Sequence, residues 1–118
     1  MKKILYVDDD PSMHKMVDLF LRNIDCVLSV AKNGRSALKM IKTTKFDLII
    51  SDIQMPEMDG ITFLQEIRKK KIKTPIVILT AFGHENMSDK ALKNGATAVL
   101  SKPFESKRLQ SIIAELTN

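Results

Sequence analysis

Two features that restrict function are missing from the 118-residue sequence: a pair of cysteines and a long hydrophobic run. Cys26 stands alone, so no internal disulfide can form, and its apolar neighbours predict a buried, unreactive thiol. No segment is long enough to cross a bilayer, and the apolar run Ile4–Val7 is too short for a signal peptide. We therefore expect a soluble cytoplasmic protein that has no membrane partner.

Acidic residues are in the minority, because 19 lysines and arginines face 14 aspartates and glutamates, for a formal net charge of +5. A basic excess can indicate a nucleic-acid or anionic-membrane partner. Here the lysines are scattered, except for the run Lys69–Lys71 with Lys73, which follows a helical pattern. Cations near a helix C-terminus complement its dipole, which favours a solvated helix end. A docking patch is the alternative for this run.

Five short apolar runs alternate with five segments of helical spacing. The runs are Ile4–Val7, Val27–Val30, Leu48–Ile50, Ile76–Leu79 and Ala98–Leu100. Three of them are continuously apolar and β-branched, as in strands buried on both faces, whereas the second is more mixed and suits an edge. Strict alternation predicts right-handed βαβ units. We therefore expect an α/β fold in which helices cover both faces of a five-stranded parallel sheet.

The five intervening segments each carry apolar residues at helical spacing. In chain order the stripes are Met13, Met16, Val17, Phe20 and Leu21; Ala37, Leu38 and Ile41; Ile61, Leu64 and Ile67; Met87, Ala91 and Leu92, the weakest of the five; and Leu109, Ile112, Ile113 and Leu116. Asp10 and Pro11 suit the start of the first helix, and Gly95 suits the end of the fourth. The length is that of one average domain, and no linker or repeat divides it.

Polar residues follow four of the five predicted strands. They are Asp8, Asp9 and Asp10 after the first, Ser51 and Asp52 at the third, Thr80 at the fourth, and Ser101 and Lys102 at the fifth. Sites in open α/β sheets form outside the carboxyl ends of the strands. We therefore expect these groups to meet at one rim of the sheet.

Carboxylates that converge repel one another unless a cation lies between them. Oxygen ligands favour Mg²⁺, which is commonly held by one or two carboxylates together with phosphate oxygens. No histidine and cysteine set competes, so zinc is disfavoured. We predict that His14 and His84 are surface residues and not ligands.

The same set of groups suits phosphoryl transfer. A carboxylate can act as the nucleophile and form an aspartyl phosphate, while cations neutralise the charge on the transferring oxygens. Lys102 can pair with one oxygen, and the Thr80 hydroxyl with the N–H near Ala81 can hold another. Each of these residues alone is a weak signal, since each also suits an ordinary strand end or turn.

The motifs resemble those of the receiver domain of two-component response regulators over the whole chain, residues 1–118. The matching segments are Ile4–Asp10, Asp47–Pro56, Met58–Gly60, Leu79–Ala81, Asn94–Ala96 and Lys102–Phe104. The resemblance implies a flavodoxin-like doubly wound sheet with strand order 2-1-3-4-5. It also implies a phosphoryl-accepting switch, not a conventional enzyme.

The resemblance implies a role for each site residue. Asp52 is the phosphoacceptor, and Thr80 and Lys102 contact the phosphoryl group. Asp9 binds Mg²⁺ directly and Asp8 mainly through water. The backbone carbonyl of Gln54 is a further metal ligand. The Lys102–Pro103 peptide bond is expected to be cis.

The resemblance also implies the partners: a sensor histidine kinase or histidine phosphotransfer protein as donor, and an unidentified output protein or domain. One position departs from the family, because Val99 stands where many receivers have a tyrosine or phenylalanine that swings inward. We therefore expect a switch centred on Thr80 and the segment after it, with Phe82 as the nearest large movable side chain.

Two alternatives differ in class. A phosphohydrolase that forms an aspartyl phosphate would favour an acid two residues after the nucleophile, where this chain has Gln54. A nucleic-acid-binding module would explain the charge, but the sequence offers no helix-turn-helix pair and no aromatic platform. We expect no direct contact with nucleic acid.

Overall fold

The structure, a computed structural model, describes residues 1–81 and 85–117. Within these residues, five strands and five helices alternate, as predicted. Their bounds are β1 Lys2–Val7, α1 Pro11–Phe20, β2 Cys26–Ala31, α2 Gly34–Thr43, β3 Leu48–Asp52, α3 Gly60–Lys69, β4 Ile76–Ala81, α4 Glu85–Lys93, β5 Ala98–Lys102 and α5 Ser106–Thr117. Among the described residues, no helix combines the length and the apolar character that a membrane span requires.

The five strands form one parallel sheet in the order β2-β1-β3-β4-β5, which confirms the predicted fold. The strand order reverses between β1 and β3, so their carboxyl ends flank the topological switch point. In the register, Val7 pairs with Ser51, and Asp52 pairs with Leu79. The polar residues that follow these strands are therefore delivered to one rim.

Two apolar layers hold the helices against the sheet. Strand side chains alternate between the faces, so Leu5 and Val7 pack with α2, α3 and α4, whereas Ile4 and Tyr6 pack with α1 and α5. The central strand residues Leu48–Ile50 are buried, as the continuous apolar run predicts. Both layers lie beneath the rim and keep the strand ends in place.

Three details differ from the predicted core. Phe63 is fully buried in α3 although it lies outside the predicted stripe, because this helix packs between α2 and α4 and buries a wider face. Leu92 is 48% exposed on α4, since it lies beyond the narrow face that packs on the sheet. Cys26 was expected to be buried but is only half-buried, because β2 is an edge strand. This partial burial still raises the pKa of its thiol.

The helix boundaries follow the predicted signals. Asp10 precedes α1, and its carboxylate accepts the Ser12 N–H, with Pro11 as the first helical residue. Gly95 follows α4 with a φ of +110°, a left-handed conformation in which a Cβ would also lie 2.7 Å from the Cγ of Arg68. The lysine run continues from the end of α3, in agreement with a helix terminus.

Arg68 joins three segments at the end of α3. Its guanidinium donates four hydrogen bonds of 2.7–3.0 Å to the backbone carbonyls of Ile72, Thr74 and Gly95. No salt bridge to Arg68 occurs within the described part of the chain, and burial lowers the pKa of its side chain. The Arg68 guanidinium therefore links the α3–β4 loop to the turn that follows α4.

We expect Arg68→Ala to lower the free energy of unfolding by about 2–3 kcal/mol, because three carbonyls lose a charged donor. Urea unfolding followed by circular dichroism measures the change. Arg108→Ala is the control, since this exposed arginine should contribute less than about 0.5 kcal/mol. Equal losses for the two variants would contradict the role of Arg68.

Candidate functional site

Three carboxylates converge at the rim where β1 and β3 end. One oxygen each from Asp8, Asp9 and Asp52 lies within 4.8 Å of the others. Asp8 is fully buried, Asp52 is partly buried and Asp9 is exposed. All the potential ligand atoms are carboxylate oxygens, which suit a hard divalent cation.

Asp8 is held by the protein on both of its oxygens. The buried Tyr6 hydroxyl donates to its Oδ2 at 2.5 Å, and the Asp10 N–H donates to its Oδ1 at 3.0 Å. Burial, reinforced by the bond to Asp8, raises the pKa of Tyr6 far above its ordinary value, so its phenol is a neutral donor. His14 Nε2 donates to the backbone carbonyl of Asp8, and its ring packs edge-on against Tyr6.

Lys102 supplies the positive charge among these acids. Its Nζ lies 3.3 Å from Asp52 Oδ2 and 4.0 Å from Asp8 Oδ2. The Lys102–Pro103 bond is cis, as the resemblance implied. Burial raises the pKa of Asp52, Lys102 opposes that shift, and the neighbouring Asp8 carboxylate adds to it. Three carboxylates thus outnumber one ammonium, and the site stays negative.

Asp52 is anchored by its neighbours in the chain and by α3. The Gln54 N–H approaches Asp52 Oδ1 at 3.5 Å, while the exposed Gln54 side chain is free to vary. A Cβ on Gly60 would lie 2.8 Å from the backbone oxygen of Asp52 and 2.7 Å from the Cα of Ile53, so this position admits only glycine without a shift. Thr80 is buried on β4, one residue beyond the partner of Asp52.

A family model for the response regulator receiver domain matches residues 4–114 of the chain. The chain belongs to this family. Receiver domains are phosphoryl-accepting switches of two-component signalling, and the acidic cluster lies where such a domain binds Mg²⁺. The resemblance that the sequence motifs indicated is therefore confirmed.

Individual relatives agree with the family. The chain is 37% identical over 117 residues to the chemotaxis protein CheY of Bacillus subtilis, covering 98% of both. It is 38% identical over 112 residues to the transcriptional regulatory protein ZraR of Klebsiella oxytoca, covering 95% of this chain and 25% of that one. The receiver domain of the Francisella response regulator 1452 superposes with a TM-score of 0.92 at 32% identity, covering 99% of this chain and 97% of that one.

The first curated relatives are longer proteins. The chain spans 25% of ZraR and 50% of another relative, a C4-dicarboxylate response regulator of Bacillus subtilis. The match to these proteins therefore covers the receiver domain, and the activity and targets of the whole proteins are said of them alone.

The predicted site residues meet as expected in most respects. Asp8, Asp9, Asp52 and Lys102 form one cluster, and Thr80 lies on the adjacent strand. Val99 is half-buried in β5 and packs on the core. Phe82 and His84 lie outside the described residues.

Sequence reasoning missed two residues of this receiver site. His14 was predicted to be a plain surface residue, but it is half-buried and contacts the Asp8 backbone, because α1 begins close to the rim. Tyr6 carried a readable signal, since residues two apart share one face of a strand and a buried hydroxyl needs a partner. Of the two residues two positions away from Tyr6, Ile4 and Asp8, Asp8 is the polar one.

Tyr6 is the only tyrosine and the chain has no tryptophan, so tyrosine emission reports on this one site. A carboxylate that accepts a hydrogen bond from a phenol quenches its fluorescence. We expect emission to rise as Mg²⁺ is added, because positive charge close to the Asp8 carboxylate weakens its acceptance of the hydrogen bond that Tyr6 donates. Asp9→Asn should need more Mg²⁺ for the same rise, and KCl of equal ionic strength should have no effect. Unchanged emission at Mg²⁺ concentrations that calorimetry shows to be saturating would contradict this expectation.

Proposed function

We propose that this receiver domain takes a phosphoryl group on Asp52, in a Mg²⁺-dependent transfer from a phosphohistidine of a sensor histidine kinase or a histidine phosphotransfer protein. The observation that carries the proposal is the cluster itself. Asp52 shares an acidic site with Asp8 and Asp9, and the Lys102 ammonium lies 3.3 Å from its carboxylate. Such a set neutralises phosphoryl oxygens and positions a nucleophile at the same point.

Asp52 is the best nucleophile of the three carboxylates. Asp8 is fully buried, and Tyr6 and the Asp10 N–H occupy its oxygens. Asp9 is exposed, and no contact to Lys102 is found for it in the described structure. The Asp52 side chain is 14% exposed, so a donor can reach it while the protein still surrounds it.

The residues present fit a magnesium ion. Asp8, Asp9, Asp52 and the backbone carbonyl of Gln54 would hold it, with Asp8 acting mainly through water because its oxygens already accept two hydrogen bonds. The bound ion supplies positive charge that offsets the phosphoryl oxygens and the three carboxylates.

The chain's own groups perform the transfer. An Asp52 oxygen attacks the phosphorus, and an O–P bond forms as the P–N bond to the donor imidazole breaks. The imidazole nitrogen keeps the electron pair and takes a proton from water. Lys102 pairs with one phosphoryl oxygen, and the Thr80 hydroxyl with the backbone N–H of Ala81 donates to another. Attack of water on phosphorus later releases inorganic phosphate and restores the Asp52 carboxylate.

The output follows from the new anion on Asp52. Thr80 gains a charge-assisted hydrogen bond to the phosphoryl group and moves toward it, which shifts the segment after β4. Val99 is β-branched and stiff, so it accommodates that movement without a swinging ring. The changed surface then alters contacts with an output protein or domain. No acid follows Asp52 by two residues, so the chain acts on itself and not as a phosphohydrolase on outside substrates.

The test uses phosphoramidate, a small donor whose P–N bond resembles that of phosphohistidine. With Mg²⁺ present, the intact mass of the native chain should rise by one phosphoryl group. An unchanged mass after exposure to both phosphoramidate and acetyl phosphate would overturn the proposal.

A further inference from the structure

A cavity lies at the end of the sheet opposite Asp52. It has a volume of about 750 Å³ and lies between the α2–β3 loop, residues 44–47, and the α3–β4 loop, residues 70–75. Both loops lead into the amino ends of their strands, whereas Asp52 stands at the carboxyl end of β3. The cavity therefore lies outside the phosphorylation site.

The cavity has an apolar floor and a basic rim. The floor consists of the buried side chains of Phe46 and Ile49 together with Ile41, Ile72 and Pro75. Four exposed lysines surround this floor: Lys42, Lys45, Lys71 and Lys73.

These lysines lack acidic partners at the cavity. None of the four forms a salt bridge within residues 1–81 and 85–117. The one acid in the lining, Asp47, accepts the backbone N–H of Lys3 at 2.7 Å. The rim therefore keeps a net positive charge.

The cavity walls are built before any ligand arrives. Arg68 donates to the carbonyls of Ile72 and Thr74, which fixes the α3–β4 loop. Lys71 has a φ of +61°, a left-handed conformation that is uncommon for a lysine. On the other side, the Asp47 N–H donates to the Lys3 carbonyl at 2.8 Å and ties the α2–β3 loop to β1.

We propose that this lysine-rimmed cavity is a docking site for an acidic peptide segment of a partner protein, which places one apolar side chain on the floor and its carboxylates against the lysines. The site is independent of the phosphorylation chemistry. It also gives a function to part of the lysine run, beyond complementing the dipole of α3, because Lys42 and Lys45 come from a different loop and still border the same cavity.

The lining favours a peptide over a small metabolite. Metabolite sites enclose their ligand and orient it with a few fixed polar groups. Here all four cations are exposed and flexible, and the buried polar residues, Asp8, Ser51 and Thr80, lie elsewhere. Several mobile charges around an apolar depression suit an extended acidic chain, which charge attraction steers to the site and an apolar anchor holds there.

The test uses a fluorescein-labelled peptide of glutamates around one central phenylalanine, with fluorescence anisotropy as the readout at low salt. We expect the variant K42Q/K45Q/K71Q/K73Q to bind at least about tenfold more weakly than the native chain. The matched control K39Q/K90Q/K93Q/K107Q removes the same charge from exposed lysines outside the cavity and should bind nearly as the native chain does. Both variants should accept phosphate from phosphoramidate at the native rate.

Four outcomes would overturn the proposal. The first is that the native chain shows no measurable binding of the peptide, and the second is that the two quadruple variants lose the same peptide affinity. The third is that a peptide whose phenylalanine is replaced by alanine binds with equal affinity. The fourth is that an oligothymidylate of the same charge binds equally tightly and through the same lysines. The last outcome would assign the cavity to nucleic acid. None of the four bears on phosphorylation of Asp52, which is measured separately.

Discussion

Asp52→Asn will abolish phosphorylation by phosphoramidate or acetyl phosphate, while the native chain gains one phosphoryl group. The amide keeps the shape of the side chain but is a poor nucleophile, and Asp8 and Asp9 are not placed to replace it. Asp8 is engaged by Tyr6 and fully buried, and Asp9 does not contact Lys102 in the described structure. Intact-mass spectrometry after incubation with excess donor measures the difference.

The matched control for this variant is Asp59→Asn. Asp59 precedes α3, and its side chain accepts the Thr62 N–H, a role that asparagine can also fill. The control loses the same charge from the β3–α3 loop and should be phosphorylated as the native chain is. Comparable phosphoryl uptake by Asp52→Asn would show that another residue is the acceptor.

Removal of divalent cations by a chelator will slow phosphorylation by at least about a hundredfold. The donor's phosphoryl group must approach three carboxylates that only one ammonium offsets. Two like charges about 4 Å apart repel by about 4 kcal/mol at an effective dielectric of about 20. A divalent cation removes most of that repulsion, so Mg²⁺ or Mn²⁺ should restore the rate when added back.

Two neighbouring aspartates provide the control for the metal dependence. Asp9→Asn should require at least about tenfold more Mg²⁺ for half-maximal rate, because one ligand oxygen is lost. Asp10→Asn removes the same charge one position along but keeps the α1 cap, and its Mg²⁺ requirement should stay near native. Full-rate phosphorylation in excess chelator, or equal effects in the two variants, would contradict the metal role.

Much of the fold was predictable because it depends on local patterns. Continuous apolar runs identified buried strands, and helical spacing identified the segments between them. The alternation of strands and helices is compatible with few topologies. The motifs around Asp52 and Lys102 resemble those of receiver domains, and that resemblance implied the strand order. Predictions failed where burial depends on neighbours in space: Phe63 is buried between two helices, whereas Leu92 is exposed to solvent although it directly follows the buried Ala91 on α4.

Most of the candidate site was also predictable, since parallel strands deliver their following residues to one rim. The sequence did not indicate that His14 would reach the Asp8 backbone, because that contact depends on where α1 lies against β1. Nor did it show which lysines would share a cavity. The run after α3 was visible, but its association with Lys42 and Lys45 joins segments about thirty residues apart.

The sequence by itself determined the class of fold, the family and the identity of the acidic rim, because these rest on periodicity and on motifs of neighbouring residues. Only the tertiary structure decided that Tyr6 holds Asp8, that Arg68 fixes two loops, and that a lysine-rimmed cavity lies opposite the acidic site. The physical reason is that hydrogen bonds and cavities depend on distances between side chains from separate elements. Those distances are set by how the helices pack on the sheet, and no local pattern along the chain records them.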